Sequence, residues 1–169
     1  GAKILGLGYP GGPEIERVSL NGNPNFISFP RPIVKKSKYD FSFSGLKTAL
    51  LYYCDSKDEG EITENLSNIA ASYQEAIIDT LLNKLSNVLE NTDIRYVSIC
   101  GGVAANTRFR LKAKEIERKF NAKLSFPKLE YCTDNAAMIG IAGYNKIING
   151  ITSPLNISPI PNLSVLLLC

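Results

Sequence analysis

The residues best suited to chemistry lie in one stretch, residues 96–110, which reads YVSICGGVAANTRFR. Its opening apolar run is typical of a buried strand. Gly101 and Gly102 end the run, and Asn106 or Thr107 can cap the helical pattern that follows. A strand, a glycine turn and a helix in this order present free backbone N–H groups and the positive end of a helix, which together favour phosphate. A tight connection without any ligand would use the same glycines, so both interpretations stay open.

Two other positions can add to such a site. Gly12 lies in the turn YPGGP, where Pro13 fits the first position of a helix and Gly12 would be its N-cap with an exposed N–H. Asp134 lies at the start of the last helical pattern, which Thr133 or Asp134 would cap. A carboxylate is also a hard oxygen ligand for Mg²⁺ or Fe²⁺. A plain turn at Gly12 and a simple cap at Asp134 are the alternatives. Because ligands in α/β folds gather at helix starts along one sheet edge, the three starts are expected to converge.

The composition limits the possible chemistry. The chain of 169 residues has no histidine, which excludes a Ser-His-Asp or Cys-His nucleophile, an HExxH metalloprotease site and a His-ligated metal held by this chain alone. Its four cysteines show no CxxC spacing and are expected to be reduced thiols. The net charge of +3 permits an anionic partner without requiring one. No apolar run approaches the roughly 20 residues of a membrane span, so we expect a cytoplasmic protein without a membrane partner.

The hydrophobic periodicity predicts the elements that position these residues. The longest is a helix of about seven turns that begins at Thr63. Its predicted inner face comprises Leu66, Ile69, Ala70, Tyr73, Ile77, Leu81, Leu85 and Val88. Ser44 is predicted to cap a shorter helix that buries Leu46 and Leu50. Strands are predicted within residues 96–100 and 122–126, and a short one at residues 26–29. The order of the elements indicates an α/β layer structure with a small sheet.

Two segments carry no regular pattern. Residues 30–40 are irregular and basic, with Arg31, Lys35, Lys36 and Lys38, and a solvated loop is the expected structure. Residues 151–169 contain three prolines and are expected to be an extended C-terminal segment. Its apolar end, residues 165–169, is expected to be a terminal strand or a cover for exposed core.

Four blocks, YPGGP, FSFSGLKTAL, ICGGVAANTRFR and CTDNAAMIGIAGY, resemble the conserved blocks of the tRNA adenosine threonylcarbamoyltransferase family, also called the glycoprotease or O-sialoglycoprotein endopeptidase family. They occur in the family's order and with similar separations, and the resemblance covers nearly the whole chain. It implies an actin-like ATPase fold with two RNase-H-like lobes and a nucleotide and a metal between them. Residues 1–169 would then be a single lobe, the second of the two.

The resemblance also implies an activity and a set of site residues. Members of the family transfer a threonylcarbamoyl group from threonylcarbamoyl-adenylate to the N6 amine of the tRNA adenosine next to the anticodon. Gly12, Gly101, Gly102 and Asn106 match nucleotide-binding positions, and Asp134 matches a ligand of one divalent metal, iron or else magnesium or zinc. The implied partners are tRNA, threonylcarbamoyl-adenylate and other subunits of the tRNA modification complex. No residue of the chain matches a catalytic side chain.

The chain also departs from the family pattern. It lacks the HxxxH motif that supplies the other metal ligands, the SGGHT-type substrate loop and the acidic residue shortly before YPGGP. We therefore expect an N-terminally truncated second lobe that is inactive alone. A catalytically dead half-protein that binds nucleotide or serves as an interaction module is the alternative. Another actin-like ATPase, such as a sugar or acetate kinase, is disfavoured by the CTDN block. Endopeptidase activity lacks both a nucleophile–base pair and a zinc motif.

The helix after the glycine turn is strongly basic. Its charged residues Arg108, Arg110, Lys112 and Lys114 are candidates for holding the tRNA backbone. A solvated helix face without a partner is the alternative.

Overall fold

In the computed structural model, which describes residues 1–34 and 38–161, helices and two short parallel strands alternate in a mixed α/β order. Contacts divide the chain into two units, Gly1–Thr133 and Asp134–Cys169. The first unit contains α1 (Gly11–Ser19), α2 (Ser44–Asp55), α3 (Glu59–Glu64), α4 (Leu66–Asn91), β1 (Tyr96–Ser98), α5 (Thr107–Phe120) and β2 (Lys123–Ser125). The second contains α6 (Ala136–Ile148). The single lobe expected for residues 1–169 stays a prediction.

Helix α4 is the centre of the first unit. Ile69 and Ala76 are fully buried in a cluster that includes Leu50 of α2, whereas Ile78 belongs to a second cluster that includes Phe109 of α5. The helix therefore has one core on each of two sides. The long helix is confirmed, but it begins after a break at Asn65 and buries more than the single predicted face. The additional buried residues are both apolar, such as Ile78, Leu82 and Leu89, and polar: Ser72, Glu75, Thr80 and Lys84.

Strands β1 and β2 pair in parallel, with Val97 opposite Leu124, and α5 forms the crossover between them. Leu124 and Val97 pack against the cluster around Phe109, whereas Tyr96 on the other face is 80% exposed. Both strands are shorter than the apolar runs that predicted them. The small sheet is confirmed for the part of the chain that the structure describes, where β1 and β2 are its two strands.

The strand predicted at residues 26–29 is wrong, because this segment is a turn followed by irregular backbone. Side chains hold it in place instead of a neighbouring strand. The Ile27 N–H donates to the Ser72 hydroxyl at 3.0 Å. The buried ring of Phe29 packs edge-on against the rings of Tyr53 and Tyr73, with centroid distances of 6.0 and 5.8 Å. Its β-forming residues therefore serve packing and not pairing.

The starts of α1 and α2 lie slightly before their predicted positions. Pro10 occupies the N-cap position of α1, so Gly12 and Pro13 lie inside its first turn and Gly12 is not the cap. Proline is tolerated there because first-turn N–H groups have no partner within the helix. Ser44 is the first residue of α2, and its side chain makes no capping bond. The buried face of α2, with Leu46 and Leu50 fully buried, is confirmed.

The second unit consists of α6 and the irregular segment that follows it. Every residue of α6 is at least partly exposed. Residues 151–161 form neither helix nor strand, as expected for an extended segment. The apolar tail at residues 165–169, and Lys35 and Lys36 of the basic segment, lie outside the described residues. Within the described ranges, no helix combines the length and apolar character that crossing a bilayer requires.

Candidate functional site

The glycine turn after β1 is an exposed stretch of backbone. Gly101 has φ 91° and ψ 172°, a conformation that L-amino acids rarely adopt. A Cβ at Gly101 would meet no atom within 4 Å, so the backbone angle and not crowding requires glycine. Gly102 begins the 3₁₀ turn Gly102–Ala105, which the Ala104 N–H closes by donating to the Gly101 carbonyl at 2.9 Å. Both glycines are open to an approaching ligand.

Asn106 is the N-cap of α5, which confirms one of the two predicted caps. Its Oδ1 accepts from the Phe109 N–H at 2.9 Å. Its Nδ2 donates to Oε1 of Gln74, on α4, at 2.8 Å. The amide is half-buried and is held by two hydrogen bonds. Nδ2 has a second hydrogen that these bonds leave available.

A carboxylate from α1 occupies the start of α5. The Thr107 N–H donates to Oε1 of Glu16 at 2.8 Å. The negative charge of Glu16 also suits the positive end of the helix. An anion at the first N–H of α5 would displace this side chain. The backbone that is open to a phosphate is therefore the glycine turn before the helix, and not the helix start itself.

Helix α1 brings Gly12 into the same region. Gly12 is exposed in the first turn of α1, four residues before Glu16 and on the same side of the helix. At 1.5 Å per residue, Gly12 lies about 6 Å along the axis from the residue that contacts α5. A groove of about 550 Å³ at this end of α1 is lined by Gly12 and Tyr73. A second groove of about 230 Å³ is lined by Glu16, Gln74 and Thr107.

Asp134 belongs to the second unit, where it is not a helix cap. Asn135 caps α6, because its Oδ1 accepts from the Met138 N–H at 3.0 Å. The prediction that Thr133 or Asp134 caps this helix is therefore wrong. Asn135 directly precedes the first helical residue and has the extended backbone, φ −154° and ψ 157°, that a cap needs. The exposed carboxylate of Asp134 is left available for another role.

The residues present do not fit a complete metal site. Within the described ranges, no group of three or more His, Cys, Asp or Glu side chains is placed to hold a metal ion. Divalent cations such as Mg²⁺ and Fe²⁺ need several protein or water ligands in a defined geometry. Asp134 can supply one oxygen ligand, and the remaining ligands would have to come from elsewhere.

A cluster of charged side chains joins α4 to α5. Glu75, whose side chain is 9% exposed, accepts two hydrogen bonds from Arg108, each at 2.9 Å. Lys112 bonds to both Glu75 and Asp79, and Arg31 donates to Asp79 at 2.8 and 3.1 Å. Burial raises the pKa of the Glu75 carboxyl, but the hydrogen bonds and charges of Arg108 and Lys112 outweigh burial and hold that pKa below its usual value. Because Arg31 is held by Asp79 of α4, the solvated loop expected for the basic segment is wrong at Arg31.

Arg110 lies at the junction of three loops. Its guanidinium donates to the Ala104 carbonyl at 2.6 Å and to the Pro127 carbonyl at 2.8 Å, and it approaches the Cys132 sulphur at 3.5 Å. It also lies 4.9 Å from the centre of the Phe126 ring. Arg108, Lys112 and Arg110 thus hold the first unit together. Of the four candidates for contact with tRNA, Lys114 and Arg108 are exposed, and Arg108 is already paired with Glu75.

Comparison with known proteins identifies the family. A family profile described as tRNA N6-adenosine threonylcarbamoyltransferase matches residues 1–141. The chain belongs to the tRNA N6-adenosine threonylcarbamoyltransferase family. The predicted resemblance is thereby confirmed. The matched range includes Gly12, the glycine turn, Asn106 and Asp134, so every candidate site residue lies inside the part of the chain that resembles this transferase family.

Curated relatives of the same name show how much of such a protein the chain represents. The tRNA N6-adenosine threonylcarbamoyltransferase of Thermosipho africanus is 46% identical over 164 residues, which are 97% of this chain and 49% of that protein. The Kosmotoga olearia protein is 47% identical, with 97% and 48% covered, and the Clostridioides difficile protein is 39% identical, with 97% and 48% covered. The chain therefore spans about half the length of the curated transferases that it matches.

Sequence reasoning missed two residues that the structure places beside Asn106. Glu16 follows Gly12 by four residues, a spacing that on a helix indicates a shared side. Gln74 is a polar residue in the middle of the most buried stretch of α4, where a polar side chain needs a partner. Both signals are present in the sequence, but neither identifies α5 as the partner.

Proposed function

We propose that this chain is the nucleotide-binding second lobe of a threonylcarbamoyltransferase with an actin-like, RNase-H-like fold. The supporting observation is that a glycine turn and an oriented asparagine amide follow β1, while the Glu16–Thr107 contact brings Gly12 alongside. The full-length protein would transfer the threonylcarbamoyl group of threonylcarbamoyl-adenylate to the N6 amine of the tRNA adenosine next to the anticodon. The names of the relatives, together with the finding that this chain covers about half of their length, support its assignment to one part of a longer transferase.

The proposed chemistry is positional and electrostatic. The exposed N–H groups of Gly101 and Gly102 would face the adenylate phosphate and stabilise the charge that develops on it as the acyl group leaves. The remaining Nδ2 hydrogen of Asn106 would donate to a phosphate or ribose oxygen. Gly12 would let the ligand approach the backbone at the start of α1, where N–H groups have no partner within the helix. Docking of tRNA would align the attacking amine.

Asp134 would supply one ligand to a divalent metal, iron or else magnesium or zinc. The other ligands would come from parts of the full-length protein outside this chain. A bound metal of this kind would supply positive charge that can stabilise a developing anion. Asp134→Asn should lower the metal content of the full-length protein without lowering its Tm, because Asn135 caps α6. An unchanged metal content, measured by mass spectrometry, would contradict this role.

The proposed partners are tRNA, threonylcarbamoyl-adenylate and other subunits of a tRNA modification complex, and we infer a cytoplasmic location from the tRNA substrate in the names of the relatives. Arg108, Arg110 and Lys112 make internal contacts, so the tRNA surface is proposed to lie elsewhere. Labelled threonine incorporated into tRNA measures the activity. We expect turnover from the full-length protein and negligible turnover from residues 1–169 alone.

The nucleotide site is tested by AMP binding to the full-length protein with Asn106→Ser. Serine keeps an oxygen for the helix cap but removes the amide. We expect the Kd for AMP to rise at least tenfold, because a hydrogen bond to a charged group contributes about 1.5–3 kcal/mol. The matched control is Asn65→Ser, at the N-cap position of α4. AMP affinity equal to wild type in Asn106→Ser would refute the site.

A further inference from the structure

We propose that Gln74 is a positioning residue that fixes the plane of the Asn106 amide for nucleotide binding. The proposal rests on the nucleotide-binding role proposed above for Asn106. Gln74 lies on α4, in a groove wall that also includes Glu16 and Thr107. Its side chain does not have to touch the nucleotide, because the proposed action is through Asn106.

A continuous line of hydrogen bonds runs from α1 through α4 to α5. The Ser19 hydroxyl donates to the Glu16 carbonyl at 2.7 Å. Gln74 Nε2 donates to the Ser19 hydroxyl oxygen at 2.8 Å, and Gln74 Oε1 accepts from Asn106 Nδ2 at 2.8 Å. Asn106 Oδ1 then accepts from the Phe109 N–H at 2.9 Å. Each of the three helices thus contributes to holding one amide.

The last bond of this line, from the Phe109 N–H, determines which atom donates and which accepts in every other bond. A backbone N–H can only donate, so the atom of Asn106 that faces the Phe109 N–H must be the oxygen. Nδ2 of Asn106 therefore faces Gln74, and the facing atom of Gln74 must be Oε1. This leaves Nε2 of Gln74 to donate to Ser19, whose own proton goes to the Glu16 carbonyl. No amide in the line can be flipped without breaking two bonds.

The capping bond alone does not orient Asn106. With one hydrogen bond, the amide group can still rotate about the line to Phe109 N. The second bond, to Gln74, defines the amide plane and with it the direction of the remaining Nδ2 hydrogen. Gln74 is well suited to this, because its backbone lies in the central helix between two fully buried residues, Ser72 and Ala76, and its far end bonds to the buried Ser19.

This arrangement explains why a glutamine lies at a position where α4 is otherwise buried. A hydrophobic residue of similar size would pack there without needing partners. Gln74 also links α1, which carries Gly12, to the cap of α5. The relative placement of Gly12 and Asn106 is therefore held by Gln74 and by the separate Glu16–Thr107 contact.

The test is a double-mutant cycle on AMP binding to the full-length protein. Gln74→Met removes both hydrogen bonds while keeping side-chain length and helix propensity. Alone, it should raise the Kd for AMP about 3- to 10-fold. In the Asn106→Ser background, it should have no further effect, because the amide that it orients is gone. Thermal unfolding of each variant reports whether the protein is folded.

Each outcome decides the proposal. An unchanged Kd in Gln74→Met, or the same fold-change in both backgrounds, would overturn it, since a merely structural role would act independently of Asn106. A Kd unchanged by Asn106→Ser would overturn both this proposal and the nucleotide site. If Gln74→Met fails to fold, Ser19→Ala is used instead. This variant removes the two hydrogen bonds of the Ser19 hydroxyl but leaves the bond between Gln74 and Asn106. It should raise the Kd about 2- to 3-fold in the wild-type background and should have no effect in the Asn106→Ser background.

Discussion

Replacing Glu75 by Gln should destabilise the protein more than any exposed charge substitution. The Glu75 side chain is 9% exposed and accepts hydrogen bonds from Arg108 and Lys112. Glutamine keeps the shape and one acceptor, but it removes the negative charge and directs N–H groups at two cations. The substitution therefore isolates the electrostatic part of the contact between α4 and α5.

The magnitude follows from what remains after the substitution. Removing one partner of a fully buried ion pair costs about 3–5 kcal/mol. Here Lys112 keeps Asp79 as a partner, and the Arg108 side chain is 43% exposed and can be rehydrated. We therefore expect the free energy of unfolding to fall by about 2 kcal/mol. This is less than the cost of breaking a fully buried ion pair and more than that of breaking an exposed one. The relatives are about twice as long as this chain. Because the unfolding entropy grows with chain length, the corresponding decrease in the Tm of the full-length protein is about 2–4 °C.

The assay is thermal unfolding of the full-length protein, followed by circular dichroism at neutral pH. The control is Glu90→Gln, the same chemical change in the exposed pair Glu90–Lys119, whose side chains are 48% and 64% exposed. The control should change stability by less than about 0.5 kcal/mol. Equal Tm values for Glu75→Gln and Glu90→Gln would refute the idea that burial makes the first pair important.

The pH dependence of the Tm difference between wild type and Glu75→Gln gives a second test of the same carboxylate. The folded-state pKa of Glu75 lies below its ordinary value of 4.5. The unfolded chain therefore binds the proton more tightly, so the charge contributes stability that is complete above pH 4.5. This contribution is lost as the pH falls through the lower folded-state pKa. The Tm difference between wild type and Glu75→Gln should be constant above pH 5 and should narrow on acidification.

Three further predictions concern local features. Gly101→Ala should cost about 1–3 kcal/mol through backbone strain alone, because φ is 91° and no atom blocks the new methyl group; an unchanged Tm would contradict the positive φ. The exposed Cys100 should react with Ellman's reagent in the native protein much faster than the buried Cys132, and equal rates would contradict the described burial. Asn135→Ala should cost about 1 kcal/mol in thermal unfolding through loss of the α6 cap, and no cost would contradict that cap.

Local patterns predicted the longer helices well because each helix satisfies its backbone within itself, whereas the short α3 was not predicted. The apolar spacing is enough to define α2, its buried face and the length of α4, but in the second half of α4 the buried residues are Ile78, Leu82 and Leu89 and not the predicted ones. The strand predicted at residues 26–29 failed because a strand needs a neighbour, and no local pattern indicates whether one is present. The burial of Glu75 was also unpredictable, since its partner Arg108 is 33 residues away in sequence.

The same distinction applies to the candidate site. Asn106 could be predicted as a cap because the bond to Phe109 spans three residues. At the start of α6, the adjacent residues Thr133, Asp134 and Asn135 have similar capping preferences. The sequence favoured Thr133 or Asp134, whereas Asn135 is the cap in the structure. The contact between Glu16 and Thr107 spans 91 residues, so only the folded structure reveals that α1 supplies an acid to α5.

The central position of α4 has a consequence for the order in which a ribosome can complete this fold. Ser19 and its partner Gln74 are 55 residues apart, and both core clusters need side chains of α4. At translation rates of about 5–20 residues per second, Ser19 at the end of α1 therefore waits about 3–11 s before its partner Gln74 on α4 has been made. During this interval the nascent chain exposes the apolar faces of α1 and α2. Binding by a holdase chaperone is expected to be strongest in that window and to end once α4 has emerged.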